Sequence, residues 1–93
     1  MIILNNTILV RESKLLTAFV FVRVGVESVS KVASQIMEIK GVEEAYEVTG
    51  DIDIIARISA QTIDDLNEII FRIREISGVQ GTDTRIVLAV HQR

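Results

Sequence analysis

The chain has 93 residues, 48% of them hydrophobic, no Cys, Pro or Trp, and ten Lys and Arg against thirteen Asp and Glu for a net charge of −3. This length holds one domain, and a domain so small buries only about 60–65% of its unfolded surface. Zero Cys excludes a disulfide scaffold, a thiolate zinc site and a cysteine nucleophile, and scattered, net acidic charge argues against autonomous nucleic-acid binding, which needs clustered positive charge.

The start, MIILNNTILV, has no basic n-region and carries Asn5 and Asn6 inside its apolar run, so it does not read as a signal peptide. No apolar stretch approaches the roughly 18–20 residues of a transmembrane helix. A soluble, cytoplasmic protein without membrane contact is expected. Residues 2–10 read as an extra strand pairing with a neighbour or as a disordered arm, and residues 11–16, RESKLL, as a charged connector. Residues 1–16 are thus an N-terminal extension to a domain over 17–93.

Residues 17–24, TAFVFVRV, alternate as a strand, with Ala18, Val20, Val22 and Val24 on one face and Phe19, Phe21 and Arg23 on the other. Residues 29–39 read as a helix whose stripe is Val29, Val32, Ala33, Ile36 and Ile39, with Gly41 as its left-handed C′ residue. Residues 42–49 form a more polar strand, Gly50 and Asp51 a turn, and residues 52–59 a third strand. Thr62-Ile63-Asp64-Asp65 then has a capping-box pattern, opening a helix over 63–76 with Ile63, Leu66, Ile70 and Ile73 on its apolar face and Gly78 as C′ residue. Residues 79–90 form the fourth strand, with an irregular start near Gly81.

The halves repeat. Ile36-Met37-Glu38-Ile39-Lys40-Gly41-Val42 recurs as Ile73-Arg74-Glu75-Ile76-Ser77-Gly78-Val79. Two βαβ units in this order make an α+β, ferredoxin-like βαββαβ sandwich: one four-stranded antiparallel sheet with two helices on one face. The uncovered face would carry Phe19, Phe21, Ile55, Val87 and Ala89, which is too apolar to face water comfortably. A dimer, face to face or edge to edge, is expected.

No GxGxxG, P-loop, GxSxG or HExxH motif occurs, so neither a cofactor nor a metal is expected. His91, the single His, reads as a general base or metal ligand on one view and as a surface residue on the other. Thr49-Gly50-Asp51-Ile52-Asp53 places two acids two residues apart beside a tight turn. Functionally, the acids would hold an ammonium group while exposed backbone N–H groups hold a carboxylate, which is what an α-amino acid requires. The plain alternative is an ordinary Gly-Asp turn with solvated acids. Gly81-Thr82-Asp83-Thr84 is a second polar interruption whose hydroxyls can orient a zwitterion, or simply a polar strand start. Glu43, Glu44 and Glu47 could join Asp51 around a hard cation, although a solvated edge-strand face explains them more simply. Arg72 and Arg74 read as the second helix's solvent face.

The segments AFVFVRV, IKGVEEAYEVTGDIDIIARI and IREISGVQGTDTRIVL together resemble the ligand-binding, or RAM (regulation of amino-acid metabolism), domain of the Lrp/AsnC feast/famine regulators. The resemblance covers about residues 17–90, and its most specific parts are Val42 to Asp53 and Gly78 to Leu88. It implies a dimeric α/β-barrel type of ferredoxin-like fold, often a ring of four dimers, and a small ligand, usually an amino acid, bound between dimers. It maps ligand-binding roles onto Thr49, Gly50, Asp51 and Asp53 in the turn and onto Thr82, Asp83 and Thr84 in the last strand. Most relatives carry an N-terminal helix-turn-helix, and residues 1–16 are too few for one. The resemblance therefore implies a stand-alone sensing and assembly module, without direct DNA binding, that acts alone or with full-length regulators. Two other functions fit the same fold: a small dimeric α/β-barrel enzyme, disfavoured by the absence of Trp and the single terminal His, and a ligand-free assembly partner of a DNA-binding regulator.

Overall fold

The computed structural model describes residues 15–93. The expected arm over 2–10 and most of the connector over 11–16 lie outside the described residues.

Alternation builds the central strand. In β1 (Leu16–Val24), Ala18, Val20 and Val22 are fully buried on one face and Phe19 and Phe21 are half-buried on the other. The chain continues through α1 (Val29–Met37), β2 (Val42–Glu47), β3 (Ile54–Ala60), α2 (Ile63–Arg74) and β4 (Val79–Ile86). The strands form one antiparallel sheet in the order β2-β3-β1-β4. This is the ferredoxin-like βαββαβ arrangement expected from the repeat.

The core lies between the helices and one sheet face. Val20, Val22, Ile54 and Ile58 of the sheet meet Val32 and Ile36 of α1 and Leu66 and Ile73 of α2, all essentially inaccessible to solvent. Burying each such side chain contributes about 1.5–3 kcal/mol. On α2 the buried set is Leu66, Ile69 and Ile73; Ile70 is partly buried and Ile63 is 49% exposed. The expected stripe named Ile63 and Ile70 instead, because both spacings fit an amphipathic helix and only the packing angle chooses between them.

Both helices start as their sequences require. Ser28 Oγ accepts from the Lys31 amide at 3.4 Å and Thr62 Oγ1 from the Asp65 amide at 3.0 Å. Their ends differ from expectation. The helices stop at Met37 and Arg74, with Glu38 and Glu75 as C-caps, so Gly41 and Gly78 lie beyond C′. Each glycine instead occupies the third position of a turn, closed by Val42 N–H to Ile39 O and Val79 N–H to Ile76 O, both 3.1 Å. Their φ values of 101° and 100° explain why both halves keep glycine there.

Three strand boundaries move. β2 ends at Glu47 and β3 begins at Ile54, because the intervening chain bends out to bond β1. β4 ends at Ile86, not at residue 90: the last ladder pair is Ala18 with Ile86, followed by Val87 N–H to Thr17 O at 2.8 Å. The irregularity expected near Gly81 is present as a register shift, with Arg23 opposite Gly81 and Val24 opposite Val79.

The open sheet face carries Phe19, Phe21 and Ile55, as expected, with β1–β3 pairing Phe21 directly with Ile55. Val87 and Ala89 belong to the segment after β4, half-buried and exposed respectively, and line the same hollow as Phe19, Arg57 and Arg85. The face is less uniformly apolar than its strand alternation implied. Arg85 stacks 5.4 Å from the Phe21 ring centroid, and Arg57 stands opposite Phe19.

Candidate functional site

One end of the sheet gathers the C-terminal end of β1, the β2–β3 loop and the start of β4. Register dictates this, since β1 runs antiparallel to both β3 and β4. The two polar segments of interest, 49–53 and 82–84, lie on opposite sides of β1.

The β2–β3 connection is a six-residue loop rather than a tight turn. Val48 N–H donates to Asp53 O, closing it at 3.0 Å. Asp53 fastens it to β1 twice: its N–H donates to Val22 O at 3.0 Å, and its Oδ2 accepts from Val24 N–H at 2.7 Å. One oxygen of the Asp53 carboxylate is therefore engaged in holding the loop. Asp51, like Thr49 and Gly50, is exposed. The expectation that Asp51 and Asp53 act as a matched pair is corrected by this difference in surroundings, because the longer loop turns Asp53 onto β1. Gly50 has φ 110° and nothing within 4 Å of where a Cβ would sit. The amides of residues 49–52 have no backbone acceptor among the described residues. The loop thus presents free N–H groups and one free carboxylate.

The β4 residues do not converge. Thr82 and Thr84 pair with Val22 and Val20 and share their helix-side face, partly buried. Asp83 pairs with Phe21 on the open face and accepts from Arg85 Nη2 at 2.8 Å. Two strand spacings, about 10 Å, separate the β3 side from the β4 side. That exceeds the distance between the charged ends of an α-amino acid, so the two segments of one copy cannot both grip one such ligand's charged ends.

Residues outside the expected set also matter. Arg23 sits on β1 between the two segments, with its guanidinium laid over Gly81: a Cβ there would fall 2.2 Å from Nη2 and 2.9 Å from Cζ. The signal was a lone cation ending an otherwise apolar strand face. Arg74, Val79, Gln80, Gly81 and Thr82 line an open cleft of about 420 Å³ at this end. His91 is exposed after β4, beside a larger hollow of about 970 Å³ that includes Phe19, Arg57, Arg85 and Leu88.

The acids of β2 are not a free solvated row. A register shift at Glu43 lets both Glu43 and Glu44 reach Arg57, at 2.7 and 3.0 Å, while Ser30 Oγ donates to both Glu47 oxygens. The Tyr46 hydroxyl donates to Glu44, and this bond together with Arg57 holds the Glu44 carboxyl below its ordinary value. The same bond pushes the Tyr46 phenol up, and the Glu44 carboxylate raises Arg57 further. Among the described residues no three His, Asp or Glu side chains are gathered as a metal-ligand set. No helix among them is long and apolar enough to cross a membrane.

A family model described as the Lrp/AsnC ligand binding domain matches residues 17–93. The HTH-type transcriptional regulator FL11 of Pyrococcus furiosus is 37% identical over 75 residues, covering 81% of this chain and 50% of its own length. The chain thus spans about half the length of the curated relatives it matches first. Among solved structures, the protein TTHA0845 from Thermus thermophilus superimposes with a TM-score of 0.77 at 29% identity, over 84% of this chain and 99% of that one. A feast or famine regulatory protein from M. tuberculosis, complexed with L-methionine, shares the fold with a TM-score of 0.73 at 22% identity, over 92% of this chain and 60% of that one.

Proposed function

The chain belongs to the Lrp/AsnC ligand-binding domain family, and we propose that it is an effector-sensing module that binds an amino acid at the β2–β3 loop. The observation that carries this reading is the division of labour between two acids in one loop. Asp53 is tied to β1, while Asp51, Gly50 and their free amides project from a fixed base. Asp51 accepts the ligand's ammonium group, and the loop amides donate to its carboxylate. Thr82 and Thr84 cannot complete this grip from within the same copy, so a neighbouring copy supplies them. The methionine held by the M. tuberculosis protein is a ligand of this chemistry.

The open sheet face, with Phe19, Phe21 and Ile55 at its centre, is where two copies meet, and dimers assemble further around the ligand. Ligand binding shifts assembly by its differential affinity for the assembled and dissociated states. In this reading the module regulates transcription through a helix-turn-helix partner.

Thermal denaturation against the common amino acids tests the proposal. A true ligand at 100 times its dissociation constant adds about 2.7 kcal/mol, and Asp51→Ala removes that gain while Glu44→Ala does not. An intact oligomer that no amino acid stabilises would refute the reading, and equal effects of the two substitutions would reduce the loop to a connection.

A further inference from the structure

Arg23 is the cation closest in register to both polar segments. It makes no ion pair among the described residues. Of the two acids nearest it, Asp53 in the β2–β3 loop accepts from the Val24 amide at 2.7 Å through Oδ2, and Asp83 on β4 pairs with Arg85 at 2.8 Å. The guanidinium lies against the backbone of Gly81, its cross-strand partner, in the space a side chain at 81 would fill. A planar, exposed fork of N–H donors with no ion-pair partner among the described residues is suited to a carboxylate, which it engages through two parallel hydrogen bonds.

We infer that Arg23 holds a carboxylate of the bound ligand, and that Gly81 leaves open the space in which the guanidinium lies. The inference rests on the reading of this end of the sheet as the ligand site, and it adds the residue that links the β2–β3 loop to β4. The carboxylate is either the α-carboxylate of any amino acid or the side-chain carboxylate of an acidic one. A phosphate dianion carries twice the charge of a carboxylate, so the neighbouring Asp51, Asp53 and Asp83 oppose it more strongly.

The test is calorimetric titration of the full chain with L-glutamate, L-glutamine, L-leucine, succinate and inorganic phosphate. Each probe is titrated into the wild type, Arg23→Gln, Arg23→Lys and Gly81→Ala, with the fold of every variant checked by circular dichroism. Arg23→Gln should weaken the carboxylate probes that bind by at least tenfold. Arg23→Lys, which keeps the charge but not the fork, should recover only part of the loss. Gly81→Ala, which leaves the charge in place, should weaken them several-fold by displacing the guanidinium. Equal losses for glutamate, glutamine and leucine assign Arg23 to the α-carboxylate; a loss confined to glutamate and succinate assigns it to the side chain. Binding of succinate alone, lost in Arg23→Gln, would keep this inference and overturn the amino-acid reading. Amino acids that bind Arg23→Gln within twofold of the wild type would overturn this inference and leave that reading standing. Phosphate bound as tightly as the amino acids would overturn the carboxylate assignment, and no binding by any probe would overturn this inference.

Discussion

Replacing Asp53 by Ala removes the side chain that fixes the β2–β3 loop. Its Oδ2 accepts from Val24 N–H at 2.7 Å in a partly buried setting, across 29 residues of sequence. Hydrogen bonds to charged groups contribute about 1.5–3 kcal/mol, and a buried amide left without an acceptor costs about 1–3 kcal/mol. Partial access to water lets solvent replace some of that bond, so a loss of about 2 kcal/mol is expected. In a domain of this size that lowers Tm by about 8–16 °C. Asp53→Asn keeps a carbonyl acceptor in the same place and should lose only about half as much. The backbone bonds Val48 N–H to Asp53 O and Asp53 N–H to Val22 O do not involve the side chain and survive both substitutions. Urea unfolding at one fixed protein concentration measures the loss, since assembly contributes to apparent stability. Faster hydrogen exchange at the Val24 amide in Asp53→Ala would locate it. An Asp53→Ala protein within about 0.5 kcal/mol of the wild type, the ordinary range for a surface substitution, would refute the claim that this acid anchors the loop.

Four further outcomes are expected. Gly50→Ala should cost about 1–2 kcal/mol, the strain of a side chain at positive φ with no neighbour to clash. Gly41→Ala should cost more in the same urea assay, because its Cβ would also fall 2.4 Å from Ile69 Cδ1; equal costs would count against tight packing there. Glu44 has a depressed folded pKa, so its contribution is complete above its unfolded value of about 4.5 and is lost as pH falls through the lower folded value. Glu44→Gln should flatten that part of the acid unfolding profile, and an unchanged profile would refute the role assigned to the Tyr46–Glu44–Arg57 cluster. Phe21→Asp should weaken self-association at least tenfold by light scattering, since burying a phenyl ring contributes about 1.5–3 kcal/mol and each 1.4 kcal/mol is tenfold; an unchanged mass would remove the open sheet face as the dimer contact.

Much of this protein is legible in its residues alone. Alternation placed Ala18, Val20 and Val22 on one face of β1, and cap chemistry placed the start of the second helix at Thr62. The repeated Ile-x-Gly-Val ends predicted two equivalent helix-to-strand turns. These features are local: a period of two or 3.6, a side chain that reaches an amide three residues on, a glycine where φ must be positive. What stayed hidden depends on residues far apart in the chain. Asp53 looks like a partner of Asp51 until its bond to Val24 is known. Thr82, Asp83 and Thr84 look like one cluster until the ladder sends the threonines and the aspartate to opposite faces. Arg23 looks like one more strand residue until the register sets it between two loops and against Gly81. A small acidic chain rich in apolar residues determined by itself that it would be a sheet backed by two helices. Which of its charges are already matched, and which remain free for a ligand, was decided by strand pairing, because pairing sets the neighbours of a side chain and sequence spacing does not.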